Sequence, residues 1–332
     1  MAEITRLTQK KLSTLFSTQE ILIKGINTPK HKSVTVPAVD INYVFRSEVL
    51  NSLLLYLSEP LNDCLYLCGP SGCGKTSLVL QAAARLNWGV EQLTLSGHTE
   101  TQDLIGHNTL QEGRLVFIYG PLVRAMQSGE ILILNEIDMM SPADLSALND
   151  VIEGRNLTIT ANNGEIIAPH PLFRVIATAN TKGVGDRHGY YTGARMQNQA
   201  FLDRWRFIEV AYPNPKEERE VLNKKCQALP SSIIDKLLQL ALELRRVSTE
   251  QFQEEAVEKQ EDLSIYKLSA PFSTRVLVRI GAMMLQCANV SAEKVVDMAF
   301  ASRLPQIERE YVRRMCLDIF GYTQKGRRQA LV

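Results

Sequence analysis

The chain has 332 residues, of which 45% are hydrophobic and 22% charged, and its formal net charge is +1. A single hydrophobic core usually stops growing at roughly 250–300 residues, so we expect a large domain and a smaller one. The composition argues against a disordered tail. The balanced charge gives no electrostatic reason to expect nucleic acid as the main partner.

No apolar run approaches the roughly 20 residues that a membrane-spanning helix needs, and the N-terminus lacks the apolar core of a signal peptide. We therefore expect a cytoplasmic protein without a membrane partner. The six cysteines have no paired Cys-x-x-Cys spacing, which argues against a zinc site and against a disulfide framework.

The N-terminal part of the chain, residues 1–40, is weakly patterned. Its first 36 residues hold six Lys or Arg residues against two glutamates, so we expect a solvated arm. A helical pattern over 43–57 leads into the main domain. Five short apolar runs then alternate with helical patterns, which predicts a parallel sheet with helices on both faces. The predicted strands are 64–68, 92–95, 130–134, 174–178 and 207–210.

Two hairpins are predicted inside the main domain. Residues 105–117 place a Gly-centred turn between half-apolar arms, and residues 157–167 contain the hairpin signal Asn163-Gly164. After Pro213 only helical patterns remain, and residues 248–270 read as an exposed acidic excursion among them. The predicted helices of this part are 215–227, 231–247, 273–289 and 292–320. The predicted domains are 1–40, 41–213 and 214–332.

The strongest motif is Gly69-Pro-Ser-Gly-Cys-Gly-Lys-Thr76, which fits GxxxxGK[ST] between a predicted strand and a predicted helix. Glycines let the backbone wrap around phosphate, and the loop amides and the helix N-terminus supply fixed positive dipoles. Lys75 would neutralise the β- and γ-phosphates of ATP, while the Thr76 hydroxyl would bind Mg²⁺. The predicted nucleotide-binding residues of the loop are Gly69, Pro70, Ser71, Gly72, Cys73, Gly74, Lys75, Thr76 and Ser77.

A second motif follows the strand predicted at 130–134. Asn135 stands where such ATPases usually carry aspartate, so one negative charge near the Mg²⁺ is missing. Glu136 would orient or deprotonate the attacking water. Asp138 could offset the lost charge or could cap a helix, and both interpretations stay open. The predicted metal residues are Thr76 and Asn135.

These motifs, in this order, resemble an AAA+ ATPase of the MoxR type, and more closely the ATPase subunit CobS of aerobic cobaltochelatase. The segments that carry the resemblance are 69–76, 135–138, 170–180, 183–190 and 198–205. The resemblance implies an α/β fold with an αβα P-loop core, hairpin inserts directed toward a pore and a small all-α lid. It also implies a hexameric ring that holds ATP at its subunit interfaces.

The resemblance assigns roles to single residues as well. Asn180 would be the polar sensor of the γ-phosphate, and Arg204 the arginine finger that reaches the neighbouring subunit, with Arg206 as the fallback. Arg275 would be the second sensor of bound nucleotide, and Arg279 could replace it. The implied catalytic residues are Glu136, Asn180 and Arg204.

The preferred interpretation is an ATP-driven ring that remodels a protein partner, in this family commonly one with a von Willebrand factor A domain. The narrower alternative is a cobaltochelatase-like metal-insertion complex. A nucleic-acid motor shares the fold and the loop, but Arg114 is the only Lys or Arg within 105–117, which counts against it. A nucleotide-gated scaffold with little turnover stays open because of Asn135.

Overall fold

The computed structural model describes residues 3–18, 20–186, 189–247, 268–287 and 289–321. The acidic excursion predicted at 248–270 lies outside the described residues up to position 267, as does the predicted lid beyond position 321. The chain divides into two compact units. One unit comprises Met1–Ile41, Phe45–Gly69 and Gly74–Val210, and the other Asn42–Val44, Pro70–Cys73 and Ala211–Val332.

The N-terminal segment is folded, so the expectation of a solvated arm is wrong. Strands β1 (Ile4–Thr8) and β2 (Gly25–Pro29) pair antiparallel, with helix α1 (Gln9–Phe16) between them. The backbone N–H of Leu22 donates to the Asn51 side-chain oxygen at 2.9 Å, which ties this segment to the next helix of the chain. The apolar residues buried in this segment are Leu12, Phe16, Ile21, Ile23 and Ile26. Only the basic side chains behave as expected, since they are exposed.

The remainder of the first unit alternates helices and strands. Its helices are α2 (Ser47–Ser58), α3 (Lys75–Arg85), α4 (Thr101–Ile105), α5 (Pro121–Ser128), α6 (Pro142–Ser146), α7 (Asn149–Ile152) and α8 (Gln199–Leu202). Its strands are β3 (Cys64–Cys68), β4 (Val90–Thr94), β5 (Gly106–Gln111), β6 (Arg114–Tyr119), β7 (Ile131–Asn135), β8 (Leu157–Ile159), β9 (Glu165–Ile167), β10 (Arg174–Ala179) and β11 (Trp205–Glu209).

Five of these strands form one parallel sheet in the order β11–β3–β10–β7–β4. Every residue of β3 and β10 is buried, which explains why these strands read as continuous apolar runs rather than as alternating patterns. The predicted α/β class with a parallel sheet is confirmed. Each predicted strand overlaps an observed one, with ends that differ by up to two residues.

Both predicted hairpins are present. Strands β5 and β6 are joined by Glu112 and Gly113, which both have positive φ (49° and 76°), as a two-residue turn of this kind requires. Strands β8 and β9 are joined by a longer connection that ends with Asn163 and Gly164, also at positive φ. The Tyr119 hydroxyl donates to both carboxylate oxygens of Glu165, at 2.8 and 2.9 Å, and so links the two hairpins.

The second unit is helical over its described part from Pro215 onward. Its helices are α9 (Pro215–Lys225), α10 (Ser231–Arg246), α11 (Thr274–Gln286), α12 (Ala292–Ala299) and α13 (Gln306–Phe320). The prediction of a single helix over 292–320 is wrong, because α12 ends at Ala299 and α13 begins only at Gln306. Pro305 lacks a backbone N–H and disfavours a helical residue before it. None of the helices within the described ranges is long and apolar enough to cross a membrane.

Candidate active site

Three neighbouring strands of the sheet end at the predicted functional residues. Strand β3 is followed by Gly69, β7 ends at Asn135 and continues to Glu136, and β10 is followed by Asn180. Because β3, β10 and β7 are adjacent and parallel, their carboxyl ends lie along one edge of the sheet. The topology therefore brings together residues that lie more than 100 positions apart in sequence.

The phosphate loop begins at a position that only glycine can occupy. A Cβ on Gly69 would lie 2.2 Å from the Val210 carbonyl oxygen, and Gly69 has a φ of 149°. The loop ends at Gly74, whose φ of 101° turns the chain into helix α3. Helix α3 starts at Lys75, so the amide groups of its first turn, which have no acceptor within the helix, belong to the loop predicted to bind phosphate. Ser77, in the same turn, is exposed.

Lys75, Asn180 and Glu136 form one hydrogen-bonded chain. The Lys75 ammonium is buried and donates to the Gly69 carbonyl at 2.7 Å and to the Asn180 side-chain oxygen at 3.0 Å. The Asn180 amide nitrogen donates to the Glu136 carboxylate at 2.7 Å. Asn180 therefore uses both ends of its amide, which fixes its orientation between a cation and a carboxylate.

A second set of contacts centres on Asn135. Its side-chain oxygen accepts hydrogen bonds from the hydroxyls of Thr76, at 2.8 Å, and Thr178, at 3.1 Å. Thr178 pairs directly with Asn135 across β10 and β7. An aspartate could accept the same two bonds, so the asparagine keeps this contact pattern and removes one negative charge.

Glu136 has an unusual backbone conformation for its residue type. Its φ of 56° and ψ of 45° lie in the left-handed region, which residues with a Cβ adopt at a cost of about 1–2 kcal/mol. The turn aims the half-buried Glu136 carboxylate at the Asn180 amide. Local backbone strain of this kind is concentrated at functional sites.

Asp138 does not cap a helix, so this interpretation of it is wrong. It lies inside the short 3-10 turn Ile137–Met139, and the residue at the cap of that turn is Glu136. Its side chain is buried, and one carboxylate oxygen, Oδ2, accepts from the backbone N–H and the hydroxyl of Thr181, at 3.1 and 2.9 Å. Thr181 directly follows Asn180 in the chain.

Residues 70–73, at the apex of the phosphate loop, belong to the second unit and have neighbours there. A Cβ on Gly72 would lie 2.7 Å from the Ser273 hydroxyl and 3.4 Å from the Arg275 Cβ. The Tyr212 hydroxyl donates to the Ser71 carbonyl oxygen at 3.0 Å. Arg275, the predicted second sensor, therefore begins its side chain beside Gly72, within the second unit. Its substitute Arg279 is exposed one turn later on α11.

The two candidate arginine fingers take part in ion pairs instead. The Arg204 Nε donates to Glu153 at 2.5 Å, and this bond holds the pKa of the Glu153 carboxyl below its usual value. Arg206 forms a bidentate ion pair with Asp63, the residue before β3. Its Nε donates to Oδ2 at 3.0 Å and its Nη2 donates to Oδ1 at 3.1 Å. Neither pairing includes a residue of the phosphate loop, so within one chain both arginines are linked to other parts of the first unit.

Several contacts at the site were not predicted from the sequence. Thr178 reads as an ordinary residue of a buried strand, and its bond to Asn135 depends on the register of β10 against β7. Thr181 and Tyr212 carry no motif signal. No cluster of three or more His, Cys, Asp or Glu side chains suited to a metal ion occurs within the described parts of the chain.

Two family profiles match parts of the chain. The profile of the AAA domain family (dynein-related subfamily) matches residues 64–205, and the profile of the CbbQ/NirQ/NorQ C-terminal family matches residues 218–310. The first match runs from the start of β3 to the start of β11, and so contains every site residue of the sheet edge. The second lies within the helical unit.

The similar proteins include the aerobic cobaltochelatase subunit CobS of a Sinorhizobium species, which is 34% identical over 188 residues. That alignment spans 55% of this chain and 56% of the subunit, little more than half of its length. An uncharacterised protein of Staphylococcus saprophyticus is 31% identical over 65% of this chain and 81% of its own length. A second one, from Staphylococcus haemolyticus, is 32% identical over 59% of this chain and 74% of its own length.

The two family profiles succeed each other along most of the chain, in the order of its two structural parts. The staphylococcal relatives exceed 30% identity over most of their length. The chain belongs to the AAA+ ATPases of the MoxR type.

Proposed function

We propose that the chain binds ATP with Mg²⁺ at residues 69–77 and hydrolyses it, as a subunit of a ring that remodels a protein partner. The observation that carries this proposal is the hydrogen-bonded chain from Lys75 through Asn180 to Glu136. It joins the residue suited to neutralise the phosphates to the residue suited to activate water. Family membership supports nucleotide binding, while hydrolysis, ring formation and remodelling are proposals.

Binding rests on fixed donors. The backbone N–H groups from Ser71 to Ser77 and the N-terminus of α3 offer positive dipoles to a triphosphate, and Lys75 adds a full charge. The Lys75 ammonium is held by Gly69 and Asn180, so it needs little reorganisation to meet phosphate oxygens. Arg275, beside Gly72, serves as the second sensor of the nucleotide.

Replacing Lys75 with alanine should weaken ATP binding by about 10- to 100-fold, since a hydrogen bond to a charged group contributes about 1.5–3 kcal/mol. Equilibrium titration of a fluorescent ATP analogue measures this change. Lys10→Ala is the matched control, because it removes an exposed lysine from helix α1. Retention of full affinity by Lys75→Ala, or absence of ATP binding by the unaltered chain at any Mg²⁺ concentration, would contradict the proposal.

Hydrolysis rests on Glu136. Its carboxylate accepts from Asn180 through one oxygen, and an ionised carboxylate has two oxygens with about four acceptor sites in all. A carboxylate in this position acts as a general base or orients the attacking water. Asn180 holds the carboxylate in place and lies close enough to Lys75 to sense the γ-phosphate.

The side chains around Thr76 fit Mg²⁺, which prefers oxygen ligands and is usually held by few protein groups together with nucleotide phosphates. The Thr76 hydroxyl would be a ligand, and Asn135, which is bonded to that hydroxyl, would orient it. When bound, the ion neutralises charge that develops on the phosphates during transfer. The missing acid at Asn135 lowers the negative charge that holds the ion, but it keeps the hydroxyl in position.

Replacing Asn135 with aspartate should lower the Mg²⁺ concentration for half-maximal ATPase activity by about tenfold, since partners that orient metal ligands change metal affinity by about 10–100-fold. A titration of Mg²⁺ at constant ATP measures the shift. Asn135→Ala, which removes the acceptor of the Thr76 bond, should raise the Mg²⁺ concentration for half-maximal ATPase activity. An unchanged Mg²⁺ requirement in both variants would make this position irrelevant to the ion.

In the proposed ring, an arginine of one subunit supplies a further positive charge to the γ-phosphate bound by its neighbour. We propose that Arg204 exchanges its bond with Glu153 for the γ-phosphate held by the adjacent subunit, with Arg206 as the fallback. The hairpins β5–β6 and β8–β9 are directed toward the pore of the ring, which we expect to be a hexamer. The partner is a protein, in this family commonly one with a von Willebrand factor A domain.

A second candidate function is favoured by the similarity to the cobaltochelatase subunit of Sinorhizobium. In that case the chain would be the ATPase of a metal-insertion complex, and the metal and its acceptor would be bound by other subunits. A nucleic-acid motor is less well supported, because β5 and β6 carry only one Lys or Arg, Arg114. ATPase stimulation by DNA that disappears with added salt would favour that motor instead.

A further inference from the structure

Asp138 holds the residue after Asn180 by two hydrogen bonds to one oxygen. The Oδ2 atom of Asp138 accepts from the Thr181 backbone N–H at 3.1 Å and from the Thr181 hydroxyl at 2.9 Å. The exposed fraction is 1% for Asp138 and 8% for Thr181, so little water competes for these bonds. The Thr181 hydroxyl also accepts from the Gly183 N–H at 3.3 Å, which extends the contact into the next turn.

This contact restrains Asn180. The peptide group between Asn180 and Thr181 is planar, so a fixed Thr181 N–H also fixes the plane that follows the Asn180 Cα. On the other side, Asp138 lies two residues after Glu136, on the 3-10 turn that Glu136 caps. The bond between Asp138 and Thr181 therefore sets the spacing between the two segments that carry Glu136 and Asn180, whose side chains are 2.7 Å apart.

The second carboxylate oxygen of Asp138 is not explained by packing. Oδ1 is buried and has no hydrogen-bond partner among the described residues. A buried acceptor without a donor costs free energy of folding, and native proteins retain few of them. An asparagine could accept both Thr181 bonds through its single oxygen without burying a charge. Both residue types could therefore hold Thr181, and the positioning depends on the one oxygen that accepts its two bonds.

We propose that Asp138 is a positioning residue for ATP hydrolysis, which acts through Thr181 to hold Asn180 against Lys75 and Glu136. This inference rests on the proposed function, because the hydrolysis that it serves is itself a proposal. In this proposal Asp138 acts through Thr181 and contacts neither the nucleotide nor the attacking water. Its substitution should therefore change the rate of the chemical step and leave the affinity for ATP unchanged.

The first test separates kcat from KM. In Asp138→Ala, kcat should fall by about 10- to 100-fold, because a displacement of about 1 Å of a reacting group can cost about 10²-fold in rate. The KM for ATP should stay within about twofold of its original value, because the phosphate loop is unchanged. Asp138→Asn should recover most of kcat, since its oxygen can accept both Thr181 bonds. Asp318→Ala, on the exposed face of α13, controls for the truncation itself.

The second test asks whether Asp138 acts through Asn180. If it does, adding Asp138→Ala to an Asn180→Ala chain should lower kcat by less than about twofold, because coupled residues do not contribute additively. Independent losses that multiply in the double variant would overturn the inference. So would an equal loss of kcat in Asp138→Asn and Asp138→Ala.

The third test needs no turnover, so it tests the contact between Asp138 and Thr181 separately from the proposed hydrolysis. Hydrogen exchange of the Thr181 amide, measured by mass spectrometry, should be at least about fivefold faster in Asp138→Ala and nearly unchanged in Asp138→Asn. Exchange at Lys10–Phe16 serves as an internal reference. Equal protection of the Thr181 amide in both variants would show that Asp138 does not hold this peptide.

Discussion

Replacing Glu136 with glutamine should reduce the rate of ATP hydrolysis by about 10²–10⁴-fold, the usual contribution of a positioned general base. The glutamine oxygen can still accept from the Asn180 amide, so the site should keep its geometry. What disappears is the negative charge and basicity that act on water. Steady-state ATPase assays and an equilibrium binding measurement should therefore diverge, with hydrolysis lost and ATP affinity retained.

Glu59→Gln provides the matched control, because it makes the same chemical change at an exposed residue at the end of helix α2. Turnover of Glu136→Gln at the unaltered rate would remove Glu136 from the catalytic assignment. A chain that binds ATP without hydrolysing it should also stay in its ATP-bound form. Affinity capture with Glu136→Gln is thus the most direct way to identify the proposed protein partner.

The second large effect concerns Arg204. In a ring made only of Arg204→Ala subunits, hydrolysis should fall by about 10³–10⁵-fold, the range found for arginine fingers. ATP binding should remain, because Arg204 is bonded to Glu153 and not to the phosphate loop of its own chain. Arg155→Ala is a suitable control, since Arg155 is the other cation paired with Glu153. It should leave hydrolysis nearly unchanged.

A mixing experiment tests whether the arginine acts on the neighbouring subunit. Rings that combine Arg204→Ala and Glu136→Gln subunits contain some interfaces with an intact Glu136 from one subunit and an intact Arg204 from the other. Activity should therefore reappear on mixing two inactive proteins. If the mixture stays inactive, or if Arg204→Ala is fully active alone, Arg204 does not complete a neighbour's site.

The sequence is sufficient to predict that the candidate site residues that follow strands lie near one another. Gly69, Glu136 and Asn180 each directly follow a strand, and parallel pairing of those strands is enough to bring the three together. The phosphate loop is recognised by the spacing of Gly69, Gly74, Lys75 and Thr76, and the sequence itself shows asparagine in place of the usual aspartate at position 135. The conclusion that the strands are parallel came from their alternation with helices, which is a local pattern.

Other features depend on contacts between distant segments and could not be predicted. The contact of Thr178 with Asn135 requires the register of two strands, and the pairing of Arg204 with Glu153 joins residues 51 positions apart. The N-terminal segment looked weakly patterned because its buried apolar residues are spread over a short helix, a strand and the connection between them. They do not follow one face of a long helix. The break before Pro305, by contrast, could have been predicted from the proline alone.

The link between the two hairpins has a mechanical consequence. Tyr119 is bonded to Glu165, and the Asn108 amide donates to the Ala161 carbonyl at 3.1 Å, so the hairpins are joined at two points. A force applied to the tip of either hairpin would be transmitted to the other hairpin. Both hairpins would pass it to the two chain segments that flank strand β7. In the proposed ring, a protein partner pulled against one tip would therefore apply force to strand β7, whose last residue, Asn135, belongs to the candidate site.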